Sequence, residues 1–364
     1  SRDLTERAFN PHLGAAPTPR TWARDVLLQT FAESAVLHTL EGESERDAFA
    51  AYGLDEADTA TIVADVGTPT GWFPLVDGHT ASDALPWPEC SAPVLPDTRA
   101  PVPPPATLRA ALEAGPGGSS DEDDPGDDEA DEGLTGQPVP TETFLEALAQ
   151  RFTVHPISLH SLLRAGIETQ GWRCPPEEQR LVRDRLTVMT LHLLGHQWPQ
   201  QVAAREPVPE WADTDGIIPV TEGSHELTLL ARIRARLTAE FPGTPIRETE
   251  RDIAELAGMS LEAWVDGGFF RHHIAQFRRR PVAWQLQSAA PKKGARPAFA
   301  CLLHFHALDA DCLPKLRTQY LRPQQVRAET ELRGLEAVPK DKRTEIQTER
   351  VVVLEQQIKT LRKL

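Results

Sequence analysis

The sequence predicts an α+β protein that is mainly α-helical, with helical bundle segments, one β-hairpin near the C-terminal third and a terminal coiled-coil-like helix. Apolar side chains recur at helical spacing along most of the chain. Two short runs, 281–288 and 298–308, have the composition of strands, and a narrow apolar stripe lies among the charges of the last segment. With 364 residues, 40% of them hydrophobic, the chain is long enough for two or three domains.

The N-terminal segment, 1–67, is predicted to be helical. A first helix is expected over 21–54, with Gly53 as its stop signal. Its apolar residues at helical spacing are Trp22, Val26, Leu27, Phe31, Val36, Leu37 and Leu40. A second, shorter helix is expected over 56–66, before Gly67.

Residues 68–139 are predicted to be a Pro-rich and acidic linker that is largely disordered. Nine of the twelve residues in 121–132 are acidic, so this run repels itself and has almost nothing apolar to bury. Prolines and small residues precede it, which favours an extended connection over a packed element.

A helical domain is predicted over 140–260. The sequence Pro175-Pro176-Glu177-Glu178 is typical of a helix start, because proline fits the first turn and acidic side chains favour the N-terminal dipole. The residues between 205 and 223 are predicted to be a loop anchored by Trp211 and the pair Ile217-Ile218. Helices are expected over 141–152, 156–166, 175–195, 226–241 and 249–256.

The C-terminal part is predicted to contain a basic hairpin region, 261–335, and a terminal helix, 336–364. After a helix expected over 260–274, the two strand-like runs flank the basic loop 289–297. The apolar stripe of the terminal helix, which suits a coiled-coil-like helix or a helical hairpin, consists of Ile346, Val353, Leu354, Ile358 and Leu361.

The charge of the chain is unevenly distributed. The formal net charge is −16, which alone argues against nucleic-acid binding. Residues 261–364, however, carry 19 Lys and Arg against 11 Asp and Glu, a net charge of +8. The C-terminal part can therefore present a basic face to phosphates although the whole chain is acidic.

Composition also predicts the compartment. The sequence contains neither a long uncharged apolar window nor a secretory signal pattern, so we expect no membrane partner. Four scattered cysteines do not form a disulfide framework, which favours the cytoplasm. The chain begins with Ser1 rather than Met and stops inside a predicted helix, so we expect it to be a piece of a longer protein.

Histidine patterns give weak support for a metal site. His192 and His196 have the spacing of a zinc-protease helix, but Leu193 occupies the place of the general-base Glu. His304 and His306 are expected to share a strand face, with Cys301 on the opposite face, so packed histidines are favoured over metal ligands. The sequence contains no glycine-rich phosphate loop and no nucleophile elbow, and no catalytic residues are predicted.

The basic hairpin is the best candidate site and predicts contact with double-stranded DNA. Lysines and arginines hold the phosphate backbone, while glutamine can read adenine with two hydrogen bonds. The alternative is a basic turn that only keeps the hairpin soluble, and the arginines can also simply complement a helix C-terminus. The candidate DNA-binding residues are Arg278, Arg279, Arg280, Gln285, Gln287, Lys292, Lys293 and Arg296.

Three stretches, 209–223, 269–288 and 299–324, carry a family resemblance, and the last two contain an ordered set of motif residues. They are Phe269, Phe270, His273, Phe277, Arg280, Pro281, Trp284, Ser288, His306, Leu308, Leu313 and Tyr320. This set resembles the C-terminal region of large adenine-specific DNA methyltransferases, namely the PglX-like enzymes of BREX phage-defence systems and related restriction-modification methylases. The resemblance covers 140–335 well and 40–70 loosely.

The resemblance implies a parent enzyme that transfers a methyl group from S-adenosylmethionine to adenine in a short DNA site. Such enzymes use a Rossmann-like domain with an FxGxG cofactor motif and an Asn-Pro-Pro-Tyr catalytic motif. This sequence has neither motif; Asn10-Pro11 is followed by His12. We therefore expect no cofactor in this chain and no activity of the chain alone, with S-adenosylmethionine bound elsewhere in the parent.

Two functions follow as hypotheses. In the first, the chain is the non-catalytic C-terminal portion of an adenine-specific methyltransferase and supports DNA engagement or target recognition in phage defence. In the second, it is a protein–protein interaction module that docks other subunits of a defence complex without touching DNA. A self-sufficient hydrolase or metalloenzyme is the third and least favoured alternative.

Overall fold

The structure, a computed structural model, describes residues 16–76, 141–170, 173–223, 225–277, 280–289 and 296–363, together with 107, 110 and 111. The described part is mainly α-helical with one small antiparallel sheet, which confirms the predicted fold class. The chain divides into two compact units, Thr21–Arg180 and Ser1–Arg20 with Leu181–Leu364. The division into five segments stays a prediction, and most of the linker 68–139, with its acidic run, lies outside the described residues.

The unit Thr21–Arg180 is helical. It contains most of α1 (Pro19–Ala51), then α2 (Glu56–Val66), a 3₁₀ turn (Thr70–Trp72), α3 (Thr141–Phe152), α4 (Pro156–Gln170) and the start of α5 (Pro175–Leu193). Helix α2 matches the predicted range because both of its ends are encoded locally. The Asp55 carboxylate accepts hydrogen bonds from the backbone N–H groups of Ala57 and Asp58, and Gly67 ends the helix with a φ of 90°.

The 3₁₀ turn is fastened to α1 by the side chain of Trp72. Its indole Nε1 donates to the carbonyl oxygen of Gly42 at 3.1 Å, and the ring of Phe49 packs edge-on with a centroid distance of 5.3 Å. A Cβ at position 42 would lie 2.9 Å from the Cα of Gly71. Glycine at position 42 therefore allows the two backbones to approach each other.

The second unit surrounds the sheet with helices. Its elements after α5 are α6 (Pro199–Ala203), β1 (Ile217–Pro219), α7 (Leu229–Glu240), α8 (Ile246–Ala257), α9 (Leu261–Ala263), α10 (Phe269–Phe277), β2 (Ala283–Gln287), β3 (Ala300–His304), α11 (Cys312–Lys315), α12 (Arg322–Glu336) and α13 (Glu345–Leu361). Two π-helical segments, Trp264–Gly268 and Leu316–Leu321, lead into α10 and α12. The predicted helix 260–274 is therefore interrupted. None of the described helices is long and apolar enough to cross a membrane.

The sheet has three strands in the order β1-β3-β2, all antiparallel. The predicted hairpin is β2 and β3, but the prediction of a loop over 205–223 missed β1. Three residues that end in Pro219 are too few to show an alternating pattern. Strand β3 ends at His304, and a 3₁₀ turn, Phe305–Ala307, follows. The prediction that His306 lies on this strand was therefore wrong.

One face of the sheet forms the core of this unit. Ile217 pairs with Leu303, which shares its face with Cys301. These side chains pack with residues of α11, the following π-helical segment and α13, namely Cys312, Leu316, Tyr320 and Leu361. The cover lies over β1 and β3. Among the described strands β2 pairs with β3 alone, so its other edge is open there, and β2 is called the outer strand below.

The chain ends in a helical hairpin formed by α12 and α13. Leu354 and Ile358 are buried against Ala328, and Arg350 forms an ion pair with Glu331 at 2.7 Å. The predicted terminal coiled-coil-like helix is thus a hairpin, one of the two predicted forms. The predicted stripe is only partly correct, because Ile346 and Val353 are exposed.

Candidate nucleic-acid interface

The structure describes four of the eight predicted DNA-binding residues and places them along the outer strand. Arg280 lies just before β2, Gln285 and Gln287 lie within it, and Arg296 lies before β3. Arg280, Gln287 and Arg296 are exposed, and Gln285 is half-buried. The other predicted residues, Arg278, Arg279, Lys292 and Lys293, lie outside the described residues.

Helix α10 determines where β2 begins. Phe269, His273 and Phe277 follow one another at intervals of one helical turn, and the His273 ring lies between the two phenyl rings at centroid distances of 5.4 and 4.6 Å. Its Nε2 accepts hydrogen bonds from the backbone N–H groups of Val282 at 3.0 Å and Ala283 at 3.1 Å. The short connection that contains Arg280 is therefore held at both ends.

The acceptor role of His273 requires the neutral ring. A lone pair on Nε2 that accepts two N–H groups places the proton on Nδ1. Burial, with a smaller contribution from His272, lowers the pKa of His273 to about 4. The ring is therefore neutral near pH 7, and the start of β2 keeps its anchor.

The two glutamines of β2 share one face, as predicted, and contact each other. Gln285 Nε2 donates to Gln287 Oε1 at 3.1 Å. Bidentate reading of adenine uses the oxygen and the nitrogen of one amide together. Base contacts by this pair therefore require the two amides to separate and rotate.

Arg296 is only partly available as a phosphate-binding cation. Its guanidinium forms an ion pair of 2.6 Å with Asp266, although 67% of the Arg296 side chain stays exposed. An exposed ion pair of this kind contributes little to stability and exchanges readily. A phosphate would therefore compete with Asp266 for Arg296.

A groove of about 630 Å³ lies beside this edge, between β2, the residues after Arg296 and α13. Its walls carry Arg296 and Arg350 together with the acidic Glu222, Glu262 and Asp266. Because acidic side chains offset the arginines, the groove is a poor site for phosphate.

Sequence reasoning missed an exposed aromatic pair, which consists of Trp284 and Phe305. The rings lie 6.1 Å apart at an interplanar angle of 22°, and their residues are 48% and 47% exposed. Neighbouring Leu286 is 42% exposed. The signal that could have found the pair is a tryptophan in a short strand between two basic segments.

Three histidines of the described part, His196, His304 and His306, lie close together. His196 lies beyond the end of α5, and its Nδ1 lies 3.3 Å from His304 Nε2, while the His306 ring stacks at 6.4 Å. Burial lowers the pKa of His196 to about 3 and also lowers the pKa of His304. Among the described residues, no group of three or more His, Cys, Asp or Glu side chains is arranged to hold a metal ion. The predicted packing of His304 agrees with its burial.

Comparison with known proteins gives a distant relationship. No protein-family model matches the chain. The chain is similar to the adenine-specific methyltransferase BrxX of Escherichia coli O9:H4 (strain HS), with 23% identity over 126 residues and 31% of this chain covered. The chain spans about 10% of the length of that protein. The similarity supports a methyltransferase-related origin, which is the coarser part of the predicted resemblance.

Proposed function

We propose that this chain is the non-catalytic C-terminal portion of a site-specific adenine DNA methyltransferase, and that it supports DNA engagement or target recognition in phage defence. The observation that carries the proposal is the similarity to an adenine-specific methyltransferase over about a third of the chain. The motif residues Phe269, His273 and Phe277 support it further, because they stack in one column that positions the basic connection before β2.

Double-stranded DNA is the proposed partner. Residues 261–364 have a net charge of +8, and the exposed Arg280 and Arg296 flank the outer strand. Phosphate contacts by such side chains fix the orientation of a protein on a duplex, and the glutamines of β2 can then test base edges. The site residues remain those predicted from the sequence.

The described residues do not fit S-adenosylmethionine in the way that the resemblance implies. A Rossmann-like domain binds its ligand at the carboxyl ends of parallel strands, whereas the described strands form an antiparallel sheet. The FxGxG and Asn-Pro-Pro-Tyr motifs are also absent from the sequence. We therefore assign no step of methyl transfer to this chain, and propose that the cofactor is bound by another part of the parent enzyme in the cytoplasm.

Titration of a labelled duplex with the full chain, at two salt concentrations, tests the proposal. We expect weak binding whose affinity falls steeply as salt rises, because phosphate contacts release counterions. Arg278→Ala combined with Lys292→Ala should weaken binding and reduce the slope of log K against log salt by roughly two.

A matched control removes the same charge elsewhere in the basic part. Lys340→Ala combined with Lys342→Ala changes two exposed cations of a short turn between α12 and α13. This control should keep nearly all of the affinity and the slope. Equal losses from both pairs would contradict the role of the hairpin, and a chain that binds no duplex even at low salt would contradict DNA engagement.

The second candidate function is a protein–protein interaction module of a defence complex. It is favoured by the exposed apolar side chains Trp284, Leu286 and Phe305, and by the ion pair that partly neutralises Arg296. Co-purification with other defence subunits, without any shift in the mobility of duplex DNA, would support this function over the first.

A further inference from the structure

The aromatic pair of Trp284 and Phe305 occupies a specific place in the sheet. Trp284 lies opposite Leu303 in the ladder, and Phe305 donates its backbone N–H to the carbonyl oxygen of Val282 at 2.8 Å. The two rings are therefore diagonal neighbours on the same face. Helical cover extends over β1 and β3 on this face but leaves these rings half exposed.

The backbone beside the aromatic pair is also open. Ser288 donates its N–H to Phe299, which shows that the even-numbered residues of β2 direct their backbone groups toward β3. The backbone groups of Gln285 and Gln287 consequently face the open edge. The aromatic pair lies on the face of the sheet beside this edge, and the exposed Arg280 precedes Trp284 by four residues in the chain.

This combination matches the chemistry that proteins use for unpaired nucleotides. Every base has an aromatic face that stacks on tryptophan or phenylalanine, and each stacked base adds to the affinity whatever its sequence. Arginine then holds the adjacent phosphate, and amides meet the base edge. Because methyltransferases extrude their target base, the opposite base loses its partner and becomes available for such stacking.

We propose that the aromatic pair, with Arg280 beside it, binds an unpaired base of the DNA that this chain engages. The inference rests on the proposed function and adds the form of DNA that the outer strand recognises. A protein partner explains the aromatic pair less well, because both rings belong to the segment 261–364, whose net charge is +8.

The test compares two labelled duplexes that differ by one bulged 2-aminopurine, a fluorescent base, and uses the full chain. We expect the bulged duplex to bind about fivefold or more tightly than the fully paired duplex, and its fluorescence to fall on stacking. Trp284→Ala should abolish both the preference and the quenching, while Trp284→Phe should restore part of them. Tyr52→Ala is a matched control, because Tyr52 is 83% exposed in the other unit.

The outcomes separate this inference from the proposed function. Binding of both duplexes with equal affinity overturns the inference and leaves DNA engagement standing, and so does a preference that survives Trp284→Ala. Binding of neither duplex overturns both. A Trp284→Ala variant that binds DNA normally but no longer co-purifies with a defence subunit assigns the aromatic pair to a protein partner instead. Circular dichroism of each variant checks that the fold is retained.

Discussion

Strands β2 and β3 have the same length and pair along all of it, yet their surroundings differ completely. All five residues of β3 are buried, whereas in β2 only Ala283 is. Both strands contain large apolar side chains: Leu302 and Leu303 are buried in β3, while Trp284 and Leu286 are exposed in β2.

The difference shows that burial is decided by the layers above and below the sheet. Strand β3 lies between two neighbours and under Leu316, Tyr320 and Leu361. Strand β2 has one neighbour and reaches beyond this cover. An apolar residue that lies outside this cover, as in β2, is therefore a candidate for binding, whereas the buried apolar residues of β1 and β3 maintain the core.

The largest expected effect in this comparison belongs to the central strand. Leu302→Ala removes a side chain that is 2% exposed, and we expect it to lower the free energy of unfolding by about 2–5 kcal/mol. Urea denaturation followed by circular dichroism measures this change. A loss below about 1 kcal/mol would show that β3 is not the core strand of this unit.

An intermediate effect is expected at the anchor of β2. His273→Phe keeps the aromatic stack but leaves the N–H groups of Val282 and Ala283 without their acceptor, which should cost about 1–3 kcal/mol. His306→Phe, which also keeps an aromatic ring and changes an exposed histidine, is the matched control. Equal losses in the two variants would contradict the anchoring role.

The same anchor predicts a pH dependence. The pKa of folded His273, about 4, lies below the ordinary 6.5, so the unfolded chain takes up the proton first. The stability from this group is complete above about pH 6.5 and is lost as the pH falls toward 4. Urea denaturation of the native chain across this range should show the decline in the free energy of unfolding, and His273→Phe should make that decline less steep.

The smallest effect is expected in the outer strand. Leu286→Ala changes a residue that is 42% exposed, and its cost should stay within about 0.5–1 kcal/mol. A loss as large as that of Leu302→Ala would mean that β2 is covered by something in solution. The two substitutions remove the same atoms. The ratio of their losses in the free energy of unfolding therefore compares the burial of β3 with that of β2 directly.

The parts of the fold that are encoded locally could be predicted from the sequence. Asp55 and Gly67 mark the two ends of α2, and two short runs with the composition of strands predict β2 and β3. Strand β1 could not be predicted, because Ile217–Pro219 is a strand only through its pairing with β3. The end of β3 was missed for a similar reason, since Phe305 looks like a strand residue but begins a turn.

The DNA-binding role of the candidate site stays a prediction from residue type and spacing. Gln285 and Gln287 lie in β2, Arg280 lies just before it, and Arg296 lies before β3. The ion pair of Arg296 with Asp266 and the mutual contact of the glutamines depend on side-chain positions that spacing does not encode. The exposure of Trp284 depends on packing by residues distant in the sequence, which cover Ile217 and Leu303 but leave Trp284 half exposed.

An open strand edge is also a template on which a second molecule can add. The backbone groups of Gln285 and Gln287 can pair with such a molecule, and the exposed Leu286 would strengthen the pairing by burying apolar surface. Exposed Arg280 beside the strand opposes self-association through local repulsion between like charges. Since salt screens that repulsion, free copies of the protein should become more prone to polymerise as ionic strength increases.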